Sequence, residues 1–352
     1  SYQGGHTEYF RYMVDMLSEK GRGDIRVFGG GGGVIVDEEI RALHDYGVSK
    51  IYSPEDGQRL GLQGMIDDML SRASFYPGEE ATQFLDKLDA RNHACLARVL
   101  TEIENSTLSD DMARQIQSNV DSAQKKIPVL GITGTGGSGK SSLTDELILR
   151  LRIDSDDELR IAVLAVDPTR RKTGGALLGD RIRMNAIEGQ TVFFRSIATR
   201  AAGGGIPAEL SRMVTACRAA DFDLVIVETP GIGQGDAGIV EEADVSLYVM
   251  TPEFGAASQL EKIEMLDYAD LVAINKSDRK GSKDALRDVR KQMQRNRVAF
   301  SRPVENMPVF ATMASRFNDA GVTDLYRGLR LCLVEHGLVK GRDHLRPPES
   351  ES

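Results

Sequence analysis

The stretch Gly134-Thr135-Gly136-Gly137-Ser138-Gly139-Lys140-Ser141 limits what this chain can fold into more than any other eight residues. It satisfies G-x-x-x-x-G-K-[ST], follows an apolar run over Pro128 to Ile132, and opens a helical pattern over Ser142 to Leu151. Glycines let successive backbone N–H groups turn inward around phosphate oxygens, at a helix N-terminus that already favours anions. The spacing therefore predicts a strand, a phosphate loop and a helix, and with them an α/β fold. Gly134, Gly136, Gly137, Ser138, Gly139, Lys140, Ser141 and Ser142 are the nucleotide-binding candidates. In this pattern Lys140 neutralises β- and γ-phosphate charge and is a catalytic candidate, while the Ser141 hydroxyl ligates magnesium. The same residues also contain G-x-G-x-x-G, the dinucleotide fingerprint. That pattern predicts no Lys-Ser, and the acidic residue it needs about twenty positions on, at the end of the next strand, is missing.

From residue 127 onward the chain is regular. Strands are predicted at Ile127 to Ile132, Ile161 to Val166, Val192 to Ile197, Leu224 to Glu228, Leu247 to Thr251, Leu271 to Asn275 and Val309 to Thr312, with helical patterns between most of them. The runs are almost continuously apolar, as parallel strands buried on both faces require. A doubly wound, mostly parallel sheet follows.

Asn275-Lys276-Ser277-Asp278 closes one of these strands, where an open α/β sheet presents its ligand contacts. An aspartate there accepts from both the ring N–H and the exocyclic amine of guanine, a donor pair that adenine lacks. Lys276 can lay its stem over the base. All four residues are base-binding candidates, so the nucleotide is expected to be GTP or GDP. Asp167 and Glu228 also follow or close predicted strands, and a carboxylate so placed holds magnesium directly or through water. Between them Lys172 to Met184 is glycine-bracketed and charged, as a nucleotide-sensing segment should be; Asp180 is within reach of the metal and Arg183 of a phosphate. A second flexible loop is expected at Gly203-Gly204-Gly205-Ile206-Pro207. Gln234 and Arg183 are the candidates for positioning the attacking water.

Two further zones precede the regular part. Over residues 1 to 71, Ile25 to Phe28 and Ser49 to Tyr52 read as strands, and Glu8 to Lys20 and Glu38 to Tyr46 as helices. Two strands are too few for a complete doubly wound domain, so this zone reads as half of one. Residues 72 to 126 show no strand signal, only helical recurrence at Leu85, Leu88, Leu96 and again at Met112, Ile116 and Val120, and are expected to form a helical linker. His93 is expected to be an ordinary helix residue. Residues 346 to 352 read as a polar tail after the 127–345 domain.

Composition narrows the classes. At 352 residues two units are the natural expectation. Nothing approaches the roughly 18–20 apolar residues of a membrane span, and the first residues do not read as a signal peptide. The first residue is not Met, which fits a fragment or a processed chain. A net charge of −9 argues against a broad nucleic-acid surface. Cys95, Cys217 and Cys332 are odd in number and far apart, so neither a disulfide framework nor a zinc site is expected, and a cytoplasmic setting is.

With these strings in place, residues 127 to 337 resemble the MeaB-type G-protein chaperones of cobalamin-dependent acyl-CoA mutases. The carrying residues are the Gly134 loop, Ala165-Val166-Asp167-Pro168, Leu178-Gly179-Asp180-Arg181, Glu228-Thr229 with Gly231 and Gly233-Gln234, and Asn275 to Asp278. The resemblance implies that Ser141, Asp167, Asp180, Glu228 and Thr229 surround the metal, with the Val166 carbonyl adding to them, and that Arg183 contacts the nucleotide. Pro230 departs from the family's usual Val, and Ala311-Thr312-Met313-Ala314 stands where a Ser-Ala-Leu guanine loop is usual. The first zone resembles the later part of a mutase cobalamin-binding domain, which is flavodoxin-like. Ser1, Gly29, Gly30 and Ser53 are its implied cobalamin-side residues.

The order of a cobalamin half, a helical linker and a G domain resembles acyl-CoA mutases fused to their own chaperone. That implies a mutase domain and an adenosyltransferase as partners, a homodimer, and adenosylcobalamin in the parent protein. The family's cobalt ligand, the His of Asp-x-His-x-x-Gly, would lie before Ser1 and the catalytic barrel beyond Ser352, so mutase chemistry is expected of the parent and not of these residues. Two other readings stay open: a metallochaperone GTPase, which needs a thiol or imidazole cluster, and a cobalamin-binding module with a regulatory nucleotide site.

Overall fold

The computed structural model describes residues 5–30, 34–74, 85–123, 125–167, 184–199, 206–229, 231, 238–255, 260–261, 263–339 and 341. It divides into two units, Ser1–Pro77 and Gly78–Ser352.

In the larger unit all seven apolar runs become strands: β3 (Val129–Gly134), β4 (Ile161–Asp167), β5 (Val192–Ala198), β6 (Leu224–Glu228), β7 (Val245–Met250), β8 (Leu271–Ile274) and β9 (Val309–Ala311). They pair in parallel in the order β5-β4-β6-β3-β7-β8-β9. Successive residues point to opposite faces, and both faces are covered, which is why the runs lack polar alternation. Leu130, Ile132, Val163 and Ile226 pack with Leu143 and Leu147 of α6 (Lys140–Asp154) and with Leu325 and Leu329 of α11 (Ala320–Glu335). Val129, Leu164, Val225 and Val272 pack on the other face. Their partners include Leu96 and Val99 of α4 (His93–Glu104), Ile116 of α5 (Asp110–Ser122), Met213 of α7 (Leu210–Ala219) and Val289 of α10 (Ser282–Asn296).

The helices expected between 72 and 126 thus form part of the layer over one sheet face. Arg195 on β5 donates to Ala97 O at 3.0 Å and pairs with Glu104 at 2.6 Å, both on α4. The His93 ring lies 5.4 Å from that of Phe193 and 6.5 Å from that of Phe222. Among the described residues, no helix is long and apolar enough to cross a membrane.

The strand holding the phosphate loop ends two residues later than its apolar run implies. Gly134 still pairs with Val249, at a place where a Cβ would lie 1.9 Å from the Val249 carbonyl oxygen. Only glycine continues the ladder there.

The smaller unit contains α1 (His6–Glu19), β1 (Phe28–Gly30), α2 (Asp37–Tyr46), β2 (Lys50–Tyr52) and α3 (Pro54–Ala73). β1 and β2 pair in parallel over a core of Val27, Ile40, Leu43, Val48 and Ile51. The first strand lies later than Ile25 to Phe28, inside the glycine run. A Cβ on Gly29 would fall 2.3 Å from Phe10 Cζ and 2.7 Å from Ile51 Cδ1, so this glycine serves core packing. Ser53 caps α3: its hydroxyl accepts from Asp56 N–H at 3.2 Å, and the Asp56 carboxylate accepts from Ser53 N–H at 3.3 Å. Gly30 pairs with Tyr52 in the ladder. Ser1 lies outside the described residues.

Candidate functional site

The strand order places the chemistry. After β3 the chain reaches β4 with room for one strand between them, and β6 later fills that gap. Ile132 faces Glu228 across the β3–β6 pair, and Ala165 faces Glu228 across the β4–β6 pair. Asp167, two residues beyond Ala165, therefore ends next to Glu228, and both stand beside the loop that follows β3. Residues 140, 167 and 228 converge although they are spread over almost ninety positions.

The loop begins at Gly134 and reaches α6 through Gly139, whose backbone is left-handed (φ +87) and whose Cβ would lie 2.6 Å from Asn275 Nδ2. Gly137 also has positive φ (+72) but opens onto free space. The first turn of α6 carries no acidic residue and its cap makes no side-chain hydrogen bond, so its N–H groups are left for an anion. Lys140, buried, donates to Gly134 O and Thr135 O, both at 3.2 Å. Gly231 sits against it: a Cβ there would fall 2.0 Å from the Lys140 ammonium and 2.4 Å from Gly134 O. Ser138 is fully buried and its hydroxyl has no hydrogen-bond partner among the described residues. Gly136 and Ser142 are exposed.

Ser141 Oγ donates to Glu228 Oε1 at 2.6 Å, and Thr144 Oγ1 donates to Glu228 Oε2 at 2.9 Å. Thr144 lies one turn beyond Ser141 on the same helix face, and it was not among the sequence candidates; the i, i+3 spacing is the signal that reveals it. Asp167 and Glu228 are each 6% exposed. Val166 is buried in the ladder opposite Ile197. Thr229 is buried too, its hydroxyl donating to Thr133 Oγ1 at 2.8 Å and its N–H to Ile132 O at 2.9 Å. Asp180, Arg183, Pro230 and Gln234 lie outside the described residues.

On the other side of the loop, Asn275 is held at both ends of its amide. Nδ2 donates to Ser138 O at 2.8 Å, while Oδ1 accepts from Ala314 N–H at 3.0 Å and Thr312 Oγ1 at 3.3 Å. It ties the phosphate loop, its own strand end and the 312–314 segment together. Lys276 adopts a left-handed backbone (φ +59) and donates to Gly137 O at 2.7 Å, which draws its stem across the loop. Ser277 N–H donates to Thr312 O at 3.1 Å. Asp278 is exposed, its carboxylate without a hydrogen bond among the described residues. Next to it Arg279 pairs with Glu253 at 2.6 Å; the Thr251 hydroxyl, then Arg279, holds that carboxyl down at about 2. So the segment Ala311 to Ala314, which lacks a Ser-Ala-Leu string, is nonetheless bound directly to the Asn-Lys-Ser-Asp turn.

Among the described residues no three His, Cys, Asp or Glu side chains are grouped to hold a metal by themselves. The donors present are a hydroxyl and two buried carboxylates beside a phosphate cradle. That is a hard-oxygen set, completed by phosphate oxygens, and it fits magnesium. Burial pushes the Cys217 thiol up to about 12 and raises those of Cys95 and Cys332, which keeps all three protonated.

Comparison with known proteins agrees with this geometry. A fused isobutyryl-CoA mutase of Cupriavidus metallidurans is 60% identical over 338 residues, covering 96% of this chain and 31% of the relative. Another, from Nocardia farcinica, is 57% identical over 340 residues, with 96% and 31% covered. The chain thus spans 31% of the length of these two mutase relatives. GTPase ArgK of Escherichia coli is 36% identical over 151 residues, 42% of this chain and 44% of that protein. Among solved structures, a LAO/AO transport system kinase aligns with a TM-score of 0.49 at 24% identity, covering 74% of this chain and 78% of that one. The family profile described as methylmalonyl-CoA mutase-associated GTPase MeaB matches residues 96–332, which include every described residue of the site, and the chain belongs to that family of GTPases.

Proposed function

We propose that this GTPase hydrolyses GTP with magnesium as the built-in chaperone of a cobalamin-dependent acyl-CoA mutase, gating the loading or protection of its cofactor. The observation that carries the magnesium step is the 2.6 Å contact between Ser141 Oγ and Glu228 Oε1, flanked by Asp167. Bound there, magnesium would neutralise charge developing on the β- and γ-phosphates. Lys140 would turn from the loop carbonyls to the β/γ oxygens, and the N–H groups of the first turn of α6 would orient them. Asp278 would accept from the guanine edge, with the Lys276 stem along the base.

Gly231, packed on the Lys140 ammonium, supports the gating step. A phosphate that draws this ammonium away removes what Gly231 rests on, and so moves the chain after Glu228. The fused mutase relatives support the partner: a mutase domain of the same parent, interconverting isobutyryl-CoA and n-butyryl-CoA with adenosylcobalamin, with an adenosyltransferase as donor, in a cytoplasmic homodimer. The residue 1–71 zone would then contribute the later part of the cobalamin domain, with Ser1, Gly30 and Ser53 on the cofactor side.

Phosphate release from GTP by the purified chain tests this. Activity should require added magnesium after chelation, and Lys140→Ala should lower turnover by roughly 10²-fold or more. Equal rates for Lys140→Ala and wild type would refute the assignment. Magnesium-independent hydrolysis would refute the metal site.

A further inference from the structure

The edge of the site facing the base depends on a residue outside all of its motifs. Asp319 stands at the N-terminus of α11, and one carboxylate oxygen serves two elements. Oδ1 accepts from Val322 N–H at 2.9 Å, capping the helix, and from Met313 N–H at 3.1 Å, holding the loop. Its carbonyl accepts from Arg150, a buried side chain on the phosphate-loop helix, at 3.3 Å. Two residues on, Gly321 touches the same loop: a Cβ there would lie 1.9 Å from the Ala311 carbonyl oxygen. The first turn of α11 therefore presses on one side of residues 311–314, while Asn275 holds the other through Ala314 N–H.

This fixes the direction of each amide. Thr312 N–H donates to Ile274 O, Met313 N–H to Asp319 and Ala314 N–H to Asn275. Ser315 is the first residue of the loop whose N–H has no acceptor among the described residues. Guanine carries, beyond the donor pair read by Asp278, a carbonyl at its six-position that needs a donor.

Resting on the guanine reading above, we propose that Asp319 is a positioning residue for base selectivity. By pinning Met313 N–H it aims the following backbone amide at the six-position carbonyl. It touches no nucleotide itself, and Arg150 links its backbone to the helix that holds the phosphates.

The test is equilibrium binding of GDP, IDP and 6-thio-GDP to the full chain. IDP lacks only the exocyclic amine, and 6-thio-GDP weakens only the six-position acceptor. Asp319→Ser keeps a short helix cap but cannot reach Met313. It should shrink the preference for GDP over 6-thio-GDP roughly tenfold and leave the preference for GDP over IDP unchanged. Asp319→Asn, which retains the acceptor, should keep both. Gly321→Ala pushes the same loop from the Ala311 side and should reproduce the selective loss, even if Asp319→Ser fails to fold. A wild-type preference over 6-thio-GDP that survives in both Asp319→Ser and Gly321→Ala overturns the proposal, as does a parallel loss of both preferences. A wild-type chain that binds IDP as well as GDP instead refutes the guanine reading, and the proposal with it.

Discussion

Thr144→Val keeps the shape of a fully buried side chain and removes one hydroxyl. That hydroxyl donates to Glu228 Oε2 at 2.9 Å, while Ser141 donates to Oε1 at 2.6 Å, so two donors one helical turn apart hold both oxygens of one carboxylate. A hydrogen bond to an ionised acceptor contributes about 1.5–3 kcal/mol. For a unit of this size the loss corresponds to a fall of roughly 3–12 °C in melting temperature. The larger consequence is orientation. With one oxygen released the carboxylate can rotate away from Ser141, and loss of such an outer contact typically weakens metal binding 10–100-fold. Magnesium titration of steady-state GTP hydrolysis measures this directly. The half-saturating magnesium concentration should rise at least about tenfold in Thr144→Val and return in Thr144→Ser. A Thr144→Val protein with wild-type melting and wild-type magnesium dependence would show that Glu228 is oriented by something else, and the reasoning from these two contacts would be wrong.

Asp278→Asn replaces an acceptor by an amide that donates, matching the 2-oxo group of xanthine; GTP turnover should fall roughly 10–100-fold in kcat/KM and be regained in part with XTP. Gly29→Ala places a methyl 2.3 Å from Phe10 Cζ and should destabilise the smaller unit by about 1–3 kcal/mol, read as a lower midpoint in urea with GTPase activity retained. His44 accepts from Ile51 N–H at 2.9 Å through Nε2, and burial, then the charges of Lys50 and Arg72, depress its pKa below the ordinary His value. The folded unit refuses a proton that the unfolded chain takes up. The contribution is therefore complete above the ordinary value of about 6.5 and is lost as pH falls from there through the depressed pKa. Thermal melts between pH 7.5 and 5.5 should show a steeper decline for wild type than for His44→Gln; equal slopes would refute it.

Much of the larger unit was legible because its signals are local. A strand buried on both faces is apolar at every position, so Ile161 to Val166 or Leu224 to Glu228 can be recognised without knowing a neighbour. The phosphate loop was equally plain, since its glycines answer to backbone demands within eight residues. Boundaries were less so: Gly134 and Gly29 extend strands only because of what stands opposite them, Val249 in one case and Phe10 with Ile51 in the other. The role of Gly29 was also hidden. As part of a five-glycine run it reads as a place for close ligand approach, and only the packing of α1 shows that the space is filled by protein.

Side chains acting between distant segments could not be read at all. Nothing in the sequence marks Asp319 as the partner of Met313, or Thr144 as that of Glu228 across eighty-four positions. A hydrogen bond depends on two atoms meeting within about 3 Å, and that is set by the sheet order and helix packing, not by either residue's neighbours. By itself the sequence determined the chemical vocabulary: glycines that wrap phosphate, a lysine and a serine behind them, and an aspartate at a strand end. The tertiary structure decided the grammar. By inserting β6 between β3 and β4 it carried Glu228 to Ser141, and by wedging α11 against residues 311–314 it gave a loop without the usual letters a fixed shape beside Asn275.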